Sequence, residues 1–308
     1  VADSPETHRD LMLNRSTLDR DGLRRHDADL VTALVAEPGT RVLAMQGERL
    51  PVTEVDGRLR LAFRSPSPQD SAEGARACYL GRVDGAAVVA IFAPPQPDSA
   101  THRSLRAIAA RLDAADTGVA VLAVGMANWT ATQGFCSRCG APTESVDAGW
   151  VWRCTVEGID FYPRTDSAVI MSVIDDQDRL LLAAGTRHVS SMMSVLAGFV
   201  EPGEPLEAAV RREVMEEVGV PVGRVTYVDN QPWPMPASLM VGFEARAEAP
   251  ELTLDPSEIS RARWFTRAEL LAALTGGELT VPPTLSIARH LIERWYGAPL
   301  PDQPGDLA

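Results

Sequence analysis

Hydrophobic and polar residues along this chain alternate with two different periods, and the places where the period changes outline its elements. Residues 206–218 carry Leu206, Ala209, Val210 and Val214 at three- and four-residue spacing, the mark of one helix face turned to a core. Gly203 and Pro205 punctuate the start of that helix, and Gly219 ends it where a left-handed cap costs little. Two stretches read as strand pairs. CYLGRVDGAAVVAIF (78–92) predicts a hairpin turned at Asp84-Gly85, and SAVIMSVIDDQDRLLLAAG (167–185) one turned around Asp175–Asp178. Strand-like runs also occur at RVLAM (41–45), GRLRLAF (57–63), RVTYVDNQ (224–231), SLMVGFEARAE (238–248) and RARWF (261–265). Helices are predicted at 102–116, 267–276 and 285–297. A loop is expected at 93–100, a lead into a new unit at 127–134, and loose order in the C-terminal PLPDQPGDLA.

This pattern predicts an α+β or α/β protein in three parts: a first domain over 1–130, a short turn-rich segment over 131–163, and a second domain over 164–308. At 308 residues the chain is long enough for two domains with separate cores. Nothing approaches the roughly 20 consecutive apolar residues that span a bilayer, so no membrane partner is expected. VADSPETHRDLML lacks a basic segment followed by an apolar run, so no secretory signal is expected, and a start at Val fits a trimmed chain. A net charge of −13 disfavours general affinity for nucleic acids or anionic lipids, though not a local basic pocket for one phosphorylated ligand.

The chemistry concentrates on the 206–218 helix. Glu213 lies three and four residues before Glu216 and Glu217, so all three share one face. Like charges at that spacing repel unless a cation lies among them. A solvated acidic face is one reading. The other is a site for Mg²⁺ or Mn²⁺, hard cations that take carboxylate oxygens and share their remaining positions with substrate phosphates. Bound there, such a cation offsets the charge of a diphosphate and acidifies a coordinated water, and a neighbouring glutamate can take the proton. Arg212 is either an internal counter-ion that orients a glutamate or a surface arginine.

Of the 4 cysteines, Cys136 and Cys139 form a C-x-x-C pair, followed by Gly140, and Cys154 lies further on. This arrangement points to a metal site in a reducing compartment rather than a disulfide framework. A closed Zn²⁺ site wants four ligands. The position that would complete a second pair holds Glu157, so the segment is either a zinc site with a carboxylate ligand or a ribbon that persists without metal. Cys78 sits in an apolar strand and is expected in the core, and His188 is too distant in sequence to be a ligand candidate.

The spacing of Gly198, Glu204, Arg212, Glu213, Glu216, Glu217 and Gly219 matches every position of the Nudix box. With the cysteine segment before it and NQPWPMPAS (230–238) after it, the chain resembles the NADH pyrophosphatases of the Nudix superfamily, whose signature after the box is SQPWPFPxS. The resemblance implies an N-terminal degenerate Nudix-like domain, a small zinc-ribbon-like insert and a C-terminal catalytic Nudix α/β/α sandwich. It implies hydrolysis of NAD⁺ or NADH to AMP and the nicotinamide mononucleotide, and removal of NAD caps from RNA 5′ ends. It also implies a cytoplasmic homodimer whose active sites draw on both subunits.

Residue by residue, the resemblance assigns the Ala197 carbonyl, Glu213, Glu216 and Glu217 to the catalytic metals, with Glu258 joining from a later loop. Phe199 and Tyr162 would sandwich the nicotinamide ring. Gln231, Trp233 and Ser238 would line the ligand pocket, Ala288 would supply a backbone contact, and Arg106 lies near a phosphate-binding arginine. The chain departs from the family at Glu157, at Gly149 (where a glutamate near the ligand is expected), at Asn230 and at Met235. Taken singly, Phe199, Tyr162 and Trp233 also read as packing residues, and Glu258 as a helix-end charge. Other functions compatible with the box are an ADP-ribose or other nucleoside-diphosphate hydrolase, and a non-catalytic nucleotide sensor. Retention of every box glutamate argues against the sensor.

Overall fold

The computed structural model describes residues 11–72, 74–96, 101–186 and 191–302. His188, the first residues and the end of PLPDQPGDLA lie outside the described residues, as does the latter half of the 93–100 loop. The chain forms two compact units. One holds Met12–Thr165 and Trp233–Ala237; the other holds Leu11, Asp166–Pro232 and the chain from Ser238. By packing, the cysteine-bearing segment thus goes with the N-terminal residues.

In the first unit, strand Arg41–Gln46 runs parallel to Ala86–Ala93, which pairs antiparallel with Ala77–Val83. The 78–92 hairpin turns where expected. Asp84 and Gly85 both take positive φ, 50° and 77°, the backbone a two-residue turn needs to match the strand twist. A second small sheet joins Arg58–Leu61, Leu50–Val55 and His102–Arg103. Cys78 is fully buried in its strand, as expected of a core residue.

The helix expected over 102–116 is not one helix. His102–Arg103 is a strand, Leu105–Ile108 and Ala109–Arg111 are short helical turns, and the long helix runs Ala114–Ala131. Asp113 starts it, its side chain accepting from the Asp116 N–H at 2.9 Å. The middle of this helix is buried on most sides, so it carries no polar stripe to reveal its period. Its Gly118 is required by close approach, since a Cβ there would lie 2.2 Å from the Ser16 hydroxyl.

The cysteine segment is a three-stranded antiparallel ribbon of Thr143–Val146, Val151–Cys154 and Asp160–Phe161. The turn Asp147–Gly149 enters it. Gly149 has φ +91°, and a Cβ there would meet the Ala77 carbonyl at 2.4 Å and Cys78 Cα at 2.7 Å. The position where the resemblance expects a glutamate therefore has no room for any side chain.

The second unit is built on one sheet, ordered Val222–Trp233, Ser238–Ala247, Asp166–Ile174, Leu180–Gly185, Ile259–Phe265, with Leu196–Phe199 also pairing Asp166–Ile174. Asp166–Ile174 runs parallel to Ser238–Ala247 and is buried on both faces, which explains its near-continuous apolar run, broken by Ser172. Val169, Met171 and Val173 pack with Ala209, Val210, Val214 and Val218 of the 206–218 helix. On the opposite face Ile170 and Ile174 pack with Leu270 and with Leu291, Ile292 and Trp295, from helices Arg267–Thr275 and Ile287–Tyr296. The result is the expected α/β/α sandwich.

Replacing Gly149 by the family's glutamate should destabilise the protein by about 2 kcal/mol or more, through backbone strain and overlap with the 77–83 strand. A urea midpoint matching that of the parent would contradict this account.

Candidate active site

The acidic helix spans Leu206–Val218, and its first-turn residues follow an extended Pro205. Gly219 closes it in the left-handed conformation (φ 70°), its N–H donating to the Met215 carbonyl at 3.0 Å. The apolar stripe read from the sequence is the buried one: Ala209, Val210 and Val214 are fully enclosed. That orientation fixes where the glutamates point. Glu216 is exposed, Glu213 is partly covered, and Glu217 is only 9% exposed.

Arg212 organises the preceding loop. Its Nε and one terminal nitrogen donate to the two oxygens of Glu204, each at 2.8 Å. The same terminal nitrogen donates to the Phe199 carbonyl at 2.9 Å, and the other to Glu213 at 2.9 Å and Glu216 at 3.0 Å. All five guanidinium N–H groups are thereby placed. The paired fork of Arg212, with the Glu201 backbone N–H, holds the Glu204 carboxyl down to about 2. Arg212 is thus the internal counter-ion of the two sequence readings. The sequence did not name Glu204 as its partner, although the fixed interval between the two in the box was the available signal.

Gly198 has a steric role. A Cβ at that position would lie 1.9 Å from Glu213 Cδ, so the carboxylate occupies the space a side chain would take. Residue 198 sits in strand Leu196–Phe199, and Ala197 beside it is exposed.

Glu258 arrives from a separate loop. The end of the helix receives that loop through two backbone bonds, from Asp255 N–H to the Glu217 carbonyl at 3.0 Å and from Thr253 N–H to the Val218 carbonyl at 2.8 Å. These occupy helix-end carbonyls that have no partner within the helix. The charge of Glu258 acts on both Glu213 and Glu217, raising each carboxyl further.

Crowding has a chemical consequence. Burial raises the Glu217 carboxyl, and the neighbouring charges of Glu213, Glu258 and Glu216 raise it further, to about 8. Burial also raises Glu213, against the opposing pull of Arg212. Glu217 Oε2 is buried without a hydrogen-bond partner. A desolvated, unpartnered carboxylate oxygen on the same helix face as Glu213 and Glu216 is a donor of the type that fits a hard divalent cation.

The remaining predicted residues divide. Phe199 and Tyr162 are each 62% exposed, so neither is a core aromatic. Phe199 belongs to the second unit with the glutamates and Tyr162 to the first. Ser238 begins its strand opposite Asp166 in the second unit. Trp233 lies in the first unit, with the Arg106 guanidinium 5.0 Å from its ring centre and Arg106 Nε 3.2 Å from the Met235 sulfur. Asn128 ties down the same turn by donating to the Pro234 and Pro236 carbonyls at 2.8 and 3.1 Å.

Gln231 is fully buried, and both ends of its amide are engaged. Its nitrogen donates to the Leu285 carbonyl at 2.9 Å and its oxygen accepts from Ile287 N–H at 2.9 Å. It therefore holds the start of the 287–296 helix. Ala288, in the first turn of that helix, is also buried, its N–H donating to the Ser286 hydroxyl at 3.2 Å.

In the ribbon, one ligand atom from each of Cys136, Cys139, Cys154 and Glu157 lies within 4.8 Å of every other. The two halves are built alike. Gly140 (φ 74°) donates to the Cys136 carbonyl, and Gly158 (φ 68°) to the Cys154 carbonyl. The Arg138 N–H points to Cys136 sulfur at 3.4 Å, and the Glu157 N–H to Cys154 sulfur at 3.3 Å. Glu157 thus stands at the fourth corner of a preserved pair of knuckles. Sulfurs around a tetrahedral Zn²⁺ lie about 3.8 Å apart, so this cluster fits that ion.

Comparison with known proteins agrees with this architecture. The family model for the NUDIX domain matches residues 163–283. The NADH pyrophosphatase zinc ribbon domain matches 131–162, and the NADH pyrophosphatase-like rudimentary NUDIX domain 39–129. The protein named NAD-capped RNA hydrolase NudC from Mycobacterium bovis (strain BCG / Pasteur 1173P2) is 36% identical over 307 residues, covering 92% of this chain and 94% of its own. That of Mycobacterium tuberculosis (strain ATCC 25618 / H37Rv) gives the same values, 36% over 92% and 94%. NAD-capped RNA hydrolase NUDT12 of Homo sapiens is 44% identical over 192 residues, 58% of this chain and 42% of that protein. A sandwich with this glutamate helix and its arginine-ordered loop defines the Nudix hydrolase class. Within it, the chain belongs to the NADH pyrophosphatase family, whose three domain models it matches in order.

The raised Glu217 carboxyl sets a pH dependence. The group titrates near 8 when folded, against 4.5 ordinarily, so the folded state binds the extra proton between those values. The metal-free protein should therefore lose stability as pH rises through that window. The paired Glu204 works in the opposite sense, its contribution fading only as pH falls from 4.5 toward 2. A cation held by Glu217 would compete with its proton, so the rise in Tm on adding Mg²⁺ in place of a chelator should be larger at pH 8 than at pH 5. An equal rise at both pH values would contradict this assignment.

Proposed function

We propose that this chain hydrolyses the diphosphate of NADH and NAD⁺ to AMP and the nicotinamide mononucleotide, and removes NAD from the 5′ end of capped RNA. The observation that carries the reading is the complete box geometry, with Gly198 yielding its space to Glu213 and Arg212 fully engaged, in a chain that matches the NADH pyrophosphatase models from 39 to 283. The names of the mycobacterial and human relatives support the capped-RNA substrate. The retained glutamates favour catalysis over nucleotide sensing.

Glu213, Glu216, Glu217, Glu258 and the Ala197 carbonyl are the proposed holders of Mg²⁺ or Mn²⁺. When bound, the cation offsets the charge of the diphosphate and lowers the pKa of a water. The protein's share is orientation and proton handling. Arg212 keeps Glu213 and Glu216 aimed, and burial keeps Glu217 Oε2 free of competing donors. Phe199 and Tyr162 offer exposed flat faces of the kind that a nicotinamide ring stacks on. Trp233, Ser238 and the Ala288 backbone are the proposed lining of the ligand pocket. Gln231 fixes the turn that carries Ala288. A homodimer with Tyr162 serving the partner's site, and a cytoplasmic location, complete the proposal. Among the described residues no helix is long and apolar enough to cross a membrane.

Incubation with NADH, NAD⁺, ADP-ribose and NAD-capped RNA in Mg²⁺ or Mn²⁺, with chromatography of the products, should yield AMP and the nicotinamide mononucleotide from the dinucleotides. Glu217→Gln should lower turnover by at least about 10²-fold with an unchanged fold. Absence of AMP from NADH would overturn the proposal, and preferential cleavage of ADP-ribose would move it to that substrate.

Zn²⁺ is the proposed occupant of the ribbon, held by Cys136, Cys139, Cys154 and Glu157. Elemental analysis of the purified protein should find about one zinc per chain. Glu157→Ala should shed it to a chelator faster than the parent, and Glu157→Cys should retain it more tightly. Equal release from all three would remove Glu157 from the ligand set.

A further inference from the structure

Glu258 lies forty residues beyond the end of the carboxylate helix, yet its charge reaches Glu213 and Glu217. One residue makes most of the bonds that bring it there. The Asp255 N–H donates to the Glu217 carbonyl at 3.0 Å, joining the loop to the helix at the very residue whose side chain is the most buried of the glutamates. Asp255 Oδ1 accepts from the Ser257 N–H at 2.8 Å and from the Ser257 hydroxyl at 2.7 Å, closing a tight side-chain turn. The Asp255 carbonyl accepts from Glu258 N–H at 3.2 Å and Ile259 N–H at 2.9 Å.

The far side of the loop is fastened as well. The Thr186 N–H donates to the Glu258 carbonyl at 2.8 Å, and its hydroxyl to the Ser257 carbonyl at 3.0 Å. Ile259, next in sequence, is buried and begins a strand. Glu258 itself is exposed, so its backbone is held on both sides while its carboxylate remains open. Thr253 supports the same junction, since its N–H donates to the Val218 carbonyl and it packs where a Cβ on Gly219 would fall, 2.8 Å from its own Cβ.

From this bonding we infer that Asp255 is a positioning residue: it sets the reach of Glu258 to the helix glutamates, so that carboxylates from two distant segments act as one cation site. The inference rests on the proposal that Glu258 joins the catalytic centre. Asp255 touches neither substrate nor cation. Its carboxylate shapes the turn, and its backbone links the turn to Glu217. Removing the carboxylate leaves the backbone links and the Thr186 bonds in place but opens the side-chain turn at Ser257, so the approach of Glu258 is loosened while the helix keeps its own three glutamates.

The test compares Asp255→Ala, Asp255→Asn, Glu258→Gln and the double variant Asp255→Ala/Glu258→Gln. Readouts are kcat and KM for NADH, the Mn²⁺ concentration giving half activation, and binding of Mn²⁺ alone by calorimetry. Displacement of a reacting group by about 1 Å costs on the order of 10²-fold, so Asp255→Ala should lower kcat by roughly 10- to 100-fold. The half-activating Mn²⁺ concentration should rise with it, and KM for NADH should hold. Asp255→Asn keeps an acceptor for the Ser257 N–H and should recover most of the loss. The double variant should be no worse than Glu258→Gln alone, because both changes remove one contribution.

Full activity in Asp255→Ala beside an impaired Glu258→Gln would overturn the positioning role and leave Glu258 in the centre. Multiplying losses in the double variant would overturn it equally. An unimpaired Glu258→Gln would remove Glu258 from the centre, and the positioning role with it. If Asp255→Ala does not fold, Asp255→Gly, which also lacks the acceptor, supports the role with a raised Mn²⁺ requirement beside a near-parent Asp255→Asn, and overturns it with parent-like Mn²⁺ binding.

Discussion

Three glutamates share one face of the 206–218 helix and feel the charge of Glu258 from a later loop, and the fold holds that helix in place against their mutual repulsion. Arg212 supplies the only guanidinium bonded to them among the described residues, and it is committed mainly to Glu204, which lies outside the cluster. It therefore braces the loop against the helix while touching just the edge of the glutamate group. Burial first, and then the remaining repulsion from Glu213, Glu258 and Glu216, holds the Glu217 carboxyl well above the usual carboxylate range. The sandwich is the counterweight. Its apolar contacts on one side of the helix hold the acidic side in a conformation that the charges alone would oppose.

Much of this was legible in the sequence because its determinants are local. The helix limits coincide with those read from Pro205, the apolar stripe and Gly219. The two hairpins follow from turn residues that tolerate positive φ. The long helix Ala114–Ala131 was not legible. A helix enclosed on most sides lacks the polar face that makes the 3.6-residue period visible, and Asp113 and Asp116, which start it, looked like the end of an earlier one. The approach of Gly118 to Ser16 is likewise a tertiary fact that reads in sequence only as a helix-weakening glycine.

Around the site, side-chain chemistry was readable and backbone chemistry was not. The box, the cysteines and the carboxylate at position 157 announce themselves by residue type. The junction between Glu217 and Asp255 is made of an N–H and a carbonyl, groups every residue there would carry, so no residue type marks it. Gln231 shows a role that residue type does not mark. It stands inside a ligand signature, yet its amide is spent on Leu285 and Ile287, and only burial distinguishes a residue that faces a ligand from one that holds its neighbours.

The turn at Trp233–Ala237 also bears on how the chain's departures from its family are to be understood. Met235 stands in place of a phenylalanine, and its sulfur meets Arg106, more than a hundred residues earlier, while Asn128 grips the prolines on either side of it. The signature is thus half of a contact whose other half is written in the rudimentary domain. A substitution in either place therefore changes what the other packs against, so the shape of the motif depends on residues far from it in sequence.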